Sequence, residues 1–242
     1  MTAHGNSSPM SIRSRRPDLV IALDVDDPQE AVRLAGTCRP ARWVKIGPRL
    51  FLRGGKSLLE SLRAEGFQLF LDLKWHDIPN TVAEAVRAAS ELNVHLATVH
   101  ASGGRAMLEA AAVAAKEASM ELAAVTVLTS LNEEELHQTW LTREKMQTLV
   151  VHLAELSLRA GIAGVVCSPQ EITALRNGLG NEVFLVTPGV RPAWAMKDDQ
   201  ARVLTPREAA ERGADLIVVG RPILKHANPA EAVREILAEI QA

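Results

Sequence analysis

The chain has 242 residues, with 27 Lys and Arg against 29 Asp and Glu and a formal net charge of -2. That balance leaves no general field to recruit nucleic acid or an anionic membrane, so any anion site must be local. Hydrophobic residues make up 47% of the chain, enough to bury a large core, and no apolar run reaches the ~18 residues of a membrane span.

Residues 1–16 are rich in Ser and Arg, contain no acid and lack the apolar stretch of a secretory signal. They read as a disordered extension ahead of an internal start such as Met10, leaving residues 17–242 as one domain. From there, eight short β-branched or apolar runs recur, each followed by a helical stretch: Leu19 to Asp24, Trp43 to Ile46, Gln68 to Lys74, Val94 to His100, Leu122 to Leu128, Gly164 to Cys167, Val183 to Thr187 and Asp215 to Val219. Most are hydrophobic throughout, as parallel strands covered on both faces should be.

The helix starts are signed in the same way. Asp27-Pro28-Gln29-Glu30, Ser168-Pro169-Gln170-Glu171, Thr205-Pro206-Arg207-Glu208 and Asn228-Pro229-Ala230-Glu231 each pair a capping side chain with proline at the first helical position and a returning glutamate. Thr81 with Glu84 repeats the box without the proline, and a further helix start is expected after Asn132. Strand and helix alternate with no break in composition, which predicts the α/β class and a single-domain (β/α)8 TIM barrel. An open doubly wound sheet is the other architecture this pattern allows.

Active sites of such barrels lie at the C-terminal strand ends, and polar residues collect there. Asp24 closes the first run and Lys45 nearly closes the second. Asp72, Lys74 and Asp77 end the third, Thr129 and Ser130 follow the fifth, Arg191 the seventh and Arg221 the eighth. Strand alternation places Phe70, Asp72 and Lys74 on one face and Leu69, Leu71 and Leu73 on the other. The leucine face meets helices, so a carboxylate and an ammonium point into the barrel mouth beside Lys45, where unpaired charge is costly.

A phosphate end follows from the last two loops, which bind phosphate in many barrels. Gly220 admits backbone N–H groups to an anion, and Arg191 and Arg221 offer charge-assisted forks. The long connection from Gly189 to Arg202 reads as a lid. The Ser102-Gly103-Gly104 segment reads as a helix-start turn, and His76, His95 and His100 as packing residues, not general bases. Cys38 and Cys167 stand apart without metal-type spacing and read as buried thiols of a reducing compartment; the seven histidines form no zinc motif.

The stretch Asp72-x-Lys74-x-x-Asp77-Ile78-Pro79-Asn80-Thr81 resembles the signature of the orotidine 5'-phosphate decarboxylases, with Lys45 as that family's other lysine. Further matches are Ala22-Leu23-Asp24, Val127-Leu128-Thr129-Ser130, Thr187-Pro188-Gly189-Val190-Arg191, Asp199-Gln200-Ala201-Arg202 and Val219-Gly220-Arg221-Pro222-Ile223, spanning nearly everything after the N-terminal tail. The resemblance implies a cytoplasmic, cofactor-free and metal-free decarboxylase of a nucleotide. It makes Lys45, Asp72, Lys74 and Asp77 catalytic, with Lys74 delivering the proton. Asp24 and Lys45 would contact the ribose, Thr129 or Ser130 the pyrimidine, and Arg191, Gln200, Gly220 and Arg221 the phosphate, with Pro188 also binding substrate. It also implies a homodimer in which Asp77, Ile78 and Thr81 reach the neighbouring subunit's site.

Two other readings fit part of the pattern. Related magnesium-dependent sugar-phosphate lyases share Asp72-x-Lys74-x-x-Asp77 but carry an acid where Lys45 stands. A non-catalytic phosphate sensor on the same barrel would keep Arg191, Gly220 and Arg221 with no use for the charge array.

Overall fold

The computed structural model describes residues 17–195 and 204–241. Eight parallel strands alternate with helices: β1 (Asp18–Ala22), α1 (Pro28–Thr37), β2 (Trp43–Ile46), α2 (Pro48–Ala64), β3 (Gln68–Trp75), α3 (Pro79–Glu91), β4 (Leu96–His100) and α4 (Arg105–Glu117). The second half continues with β5 (Glu121–Val125), α5 (Glu133–Trp140), α6 (Met146–Arg159), β6 (Gly164–Val166), α7 (Ile172–Leu179), β7 (Phe184–Pro188), α8 (Pro206–Glu211), β8 (Leu216–Val219), α9 (Arg221–Leu224) and α10 (Pro229–Gln241). Each strand pairs with its sequence neighbour, and β8 returns to β1 with Val20 opposite Val218. That last pairing closes the sheet into a barrel and excludes the open doubly wound alternative.

The period-two alternation of the strands divides the core into two parts. Leu19, Ile21, Val44, Leu69, Leu71 and Ile217 face outward and pack under the helices. Val20, Trp43, Phe70, Leu96, Phe184 and Leu216 face inward and fill the barrel with hydrocarbon, as the layered interior of this fold requires. Gly164 on β6 is part of that inner packing. A Cβ there would run into the Leu122 carbonyl oxygen and the Phe184 ring, so glycine is what lets Phe184 lie across the barrel.

The capping signals hold with two corrections. Asp27 accepts the Gln29 N–H, and Thr205 and Asn132 form complete boxes with Glu208 and Glu135. Thr81 caps nothing: α3 begins earlier, at Pro79, because proline at the first helical position outranks a later threonine, and Glu84 pairs with Arg87 at 2.7 Å. After β6, the Glu171 carboxylate does accept the Ser168 N–H at 2.7 Å, but the segment forms a turn and α7 starts only at Ile172. Ala101–Gly103 is a short 3-10 turn leading to Gly104, whose φ of 83° sets up α4, matching the helix-start reading of Ser102-Gly103-Gly104. No helix among the described residues is long and apolar enough to cross a membrane.

Candidate active site

At the C-terminal ends of the strands the inward positions change from hydrocarbon to charge. The cavity there holds about 320 Å³, within the range of small-ligand sites. Its walls are apolar, from Val125, Val166, Val186 and Val218, and its polar groups enter from two sides.

On one side is an array of alternating charge. Lys74 Nζ donates to Asp72 Oδ1 at 2.8 Å, Lys45 Nζ lies 3.2 Å from Asp72 Oδ2, and Lys45 Nζ is 3.8 Å from Asp24 Oδ1. Asp72 is 9% exposed. Burial alone would push its carboxyl up, but the Lys45 and Lys74 ammonium groups and their hydrogen bonds together outweigh that and hold it below the ordinary carboxylate range. Within one chain the array ends on Asp24.

Lys74 reaches this position through an irregular backbone. Its φ is 53°, in the left-handed region, and the β3–β4 register shifts between Leu71 and Trp75. A non-glycine residue there costs about 1–3 kcal/mol. Thr98 on β4 accepts the Lys74 backbone N–H at 2.9 Å and donates to Asp72 Oδ1 at 3.1 Å. Strand alternation alone therefore gave the right face for Lys74 through the wrong backbone. Thr98 did not stand out in the sequence; its one available signal was a hydroxyl at an inward position beside Asp72, between the inward Leu96 and His100.

On the other side is the end where phosphate is expected. Arg191, Gly220 and Arg221 line the cavity with Pro188 and Gly189, whose φ is 81°. Gly220 is also packed closely: a Cβ there would lie 3.2 Å from Asp24 Oδ2 and 3.3 Å from the Ala22 Cβ. The Arg191 N–H donates to the Leu204 carbonyl at 3.0 Å, tying the two ends of the long β7 loop, and the Trp194 ring meets His226 edge-on at 5.0 Å. Gln200 and half of the expected lid, residues 196–202, fall outside the described residues.

Thr129 lines the cavity and Ser130 does not. Asp77, Ile78 and Thr81 are exposed and are not among the residues lining the cavity of their own chain. Ile78 is 67% exposed, and the Asp77 carboxylate accepts the Ile78 N–H at 2.6 Å. His95 Nδ1 accepts the Leu69 N–H at 3.1 Å and the His100 ring stacks 5.3 Å from His76. Burial lowers the pKa of both His95 and His100, reinforced by nearby positive charge. Cys38 and Cys167 are both buried free thiols, and burial pushes Cys167 up to about 12.

A closed barrel that joins a Lys-Asp-Lys array, its carboxylate buried, to an arginine-and-glycine end across one cavity is a barrel with a small-ligand site at its C-terminal strand ends. The chain belongs to the orotidine 5'-phosphate decarboxylase / HUMPS family, whose model matches residues 17–236. It is 48% identical over 225 residues to the orotidine 5'-phosphate decarboxylase of Nitrosococcus oceani, covering 92% of this chain and 97% of that one. It is likewise 48% identical over 229 residues to that of Halorhodospira halophila, at 93% and 97% coverage. The crystal structure of the Lactobacillus acidophilus orotidine 5'-phosphate decarboxylase superposes with a TM-score of 0.82 at 35% identity, covering 94% of this chain and all of that one.

Proposed function

We propose that the chain converts orotidine 5'-phosphate to uridine 5'-phosphate and CO2, the last step of de novo pyrimidine nucleotide synthesis, with no metal or organic cofactor. The observation that carries this is Lys74 Nζ held 2.8 Å from Asp72 at the mouth of a cavity whose far side ends in Arg191, Gly220 and Arg221. Loss of CO2 leaves an electron pair in an sp2 orbital at C6 that the ring cannot delocalise, so the site must stabilise localised negative charge.

The Lys74 ammonium faces the developing carbanion and then transfers its proton to C6. Asp72 holds that ammonium in place and sets a negative charge near the departing carboxylate. Lys45 with Asp24 addresses the ribose, Thr129 the pyrimidine, and Arg191, Gly220 and Arg221 the phosphate, with Gln200 contributed by the loop above. The magnesium-dependent lyase alternative is disfavoured by Lys45: its ammonium lies 3.2 Å from Asp72, where it repels a divalent cation. A pure sensor has no need of two ammonium groups on one buried carboxylate.

The active form is a homodimer. Asp77, Ile78 and Thr81 are exposed on their own chain while sitting next to the catalytic strand end, as residues serving a neighbouring subunit's site would be. Two buried free cysteines fit a cytoplasmic protein. Loss of orotidine 5'-phosphate absorbance, followed with wild type and Lys74→Ala with and without EDTA, tests the whole assignment. Chelator-insensitive turnover that falls more than about 10²-fold in the variant is expected, the scale of losing a general acid. Turnover abolished by EDTA, or unchanged in the variant, overturns it.

A further inference from the structure

Thr98 is fully buried on β4 and does not line the cavity, yet its hydroxyl is bonded to both catalytic residues of β3. It accepts the Lys74 backbone N–H at 2.9 Å and donates to Asp72 Oδ1 at 3.1 Å, the same oxygen that accepts Lys74 Nζ at 2.8 Å. A hydroxyl has one proton, so accepting from Lys74 and donating to Asp72 fixes its orientation. The strand ladder does not supply this bond. Its register shifts between Leu71 and Trp75, and with φ at 53° the Lys74 N–H meets a side chain instead of a β4 carbonyl.

We propose that Thr98 is a positioning residue of the decarboxylation, fixing both the backbone origin of Lys74 and the carboxylate on which its ammonium docks. This rests on the assignment of proton delivery to Lys74. When the Lys74 ammonium gives its proton to C6 it becomes a neutral amine, and Asp72 Oδ1 loses a charged donor at that moment. The Thr98 O–H remains on that oxygen, so Oδ1 keeps a donor while Lys45 stays on Oδ2, and the amine keeps its place until it is reprotonated from solvent.

The test compares variants of Thr98 in steady-state turnover, alongside Lys74→Ala. Thr98→Val keeps the shape and removes the hydroxyl. Its kcat should fall about 10²-fold, the cost of misplacing a reacting group by ~1 Å, with KM within about twofold because the anion end is untouched. Thr98→Ser should recover most of the loss. The acid limb of the Thr98→Val pH profile should also move to higher pH, since its Asp72 carboxylate has one donor fewer. If Thr98→Val does not fold, Thr98→Ser against Thr98→Ala isolates the same hydroxyl, and the serine variant should turn over at least about tenfold faster, within the range of that same positioning effect. Wild-type kcat in Thr98→Val, or equal turnover of the Ser and Ala variants, overturns the role while Lys74→Ala remains inactive. An active Lys74→Ala would instead remove the assignment on which the role depends.

Discussion

Two buried carboxylates respond to their surroundings in opposite directions. Asp72 is held low by two ammonium groups that outweigh its burial. A carboxyl whose pKa is depressed in the folded state contributes stability that is complete above its unfolded value of about 3.9 and is lost as pH falls through the folded value. Asp72→Asn should therefore unfold at lower urea than wild type at pH 7, with the gap narrowing below about pH 4. Glu171 has the contrary shift: burial raises its pKa, and the bonds to Ser168 offset that only in part. It binds its proton more tightly folded than unfolded, so its contribution is best below the unfolded value of about 4.3 and declines as pH rises through the folded one. Glu171→Gln keeps an oxygen for the Ser168 N–H and should be more stable than wild type at pH 7 in urea titration. That advantage should disappear in acid; a less stable variant at pH 7 would contradict the burial argument.

At the scale of elements, the three-residue β6 has the least strand to spare. It completes the barrel because Gly164 lets the Leu122 carbonyl and the Phe184 ring approach. Gly164→Ala should cost about 1–3 kcal/mol from overpacking, measured as a drop in the denaturation midpoint. A change within ~0.5 kcal/mol would mean that the neighbours can move aside. The strand and helix runs themselves were largely legible: parallel strands covered on both faces read as hydrophobic blocks, and the cap at Asp27 and the boxes at Asn132 and Thr205 mark three helix starts. Ser168 and Thr81 misled because a capping pattern is local, whereas the start of a helix also depends on where proline and the preceding strand leave the chain.

For the whole molecule, the proposed homodimer makes a sharp prediction. Ile78, beside Asp77 in the loop after β3, leaves 67% of its surface exposed in its own chain. Ile78→Glu would put charge into a dimer interface and is expected to yield a monomer by sedimentation, with turnover reduced more than about tenfold by loss of subunit-shared contacts. An active monomer would show that each chain completes its own site.

The sequence by itself determined the class of fold, the eight strands, the two ends of the cavity and the family, because these depend on local hydrophobic period, on turn and capping chemistry, and on motifs of contiguous residues. Tertiary structure decided what local pattern cannot encode. Closure required β8 to find β1 across the length of the chain, a long-range pairing with no sequence signature. The conformation of Lys74 and its bond to Thr98, 24 residues away, exist only because two neighbouring strands slip out of register. The array ends on Asp24 within one chain, since β1 pairs with β2 and sets Ala22 opposite Lys45, whereas Asp77 is exposed in the loop that leads into α3 and does not line the cavity.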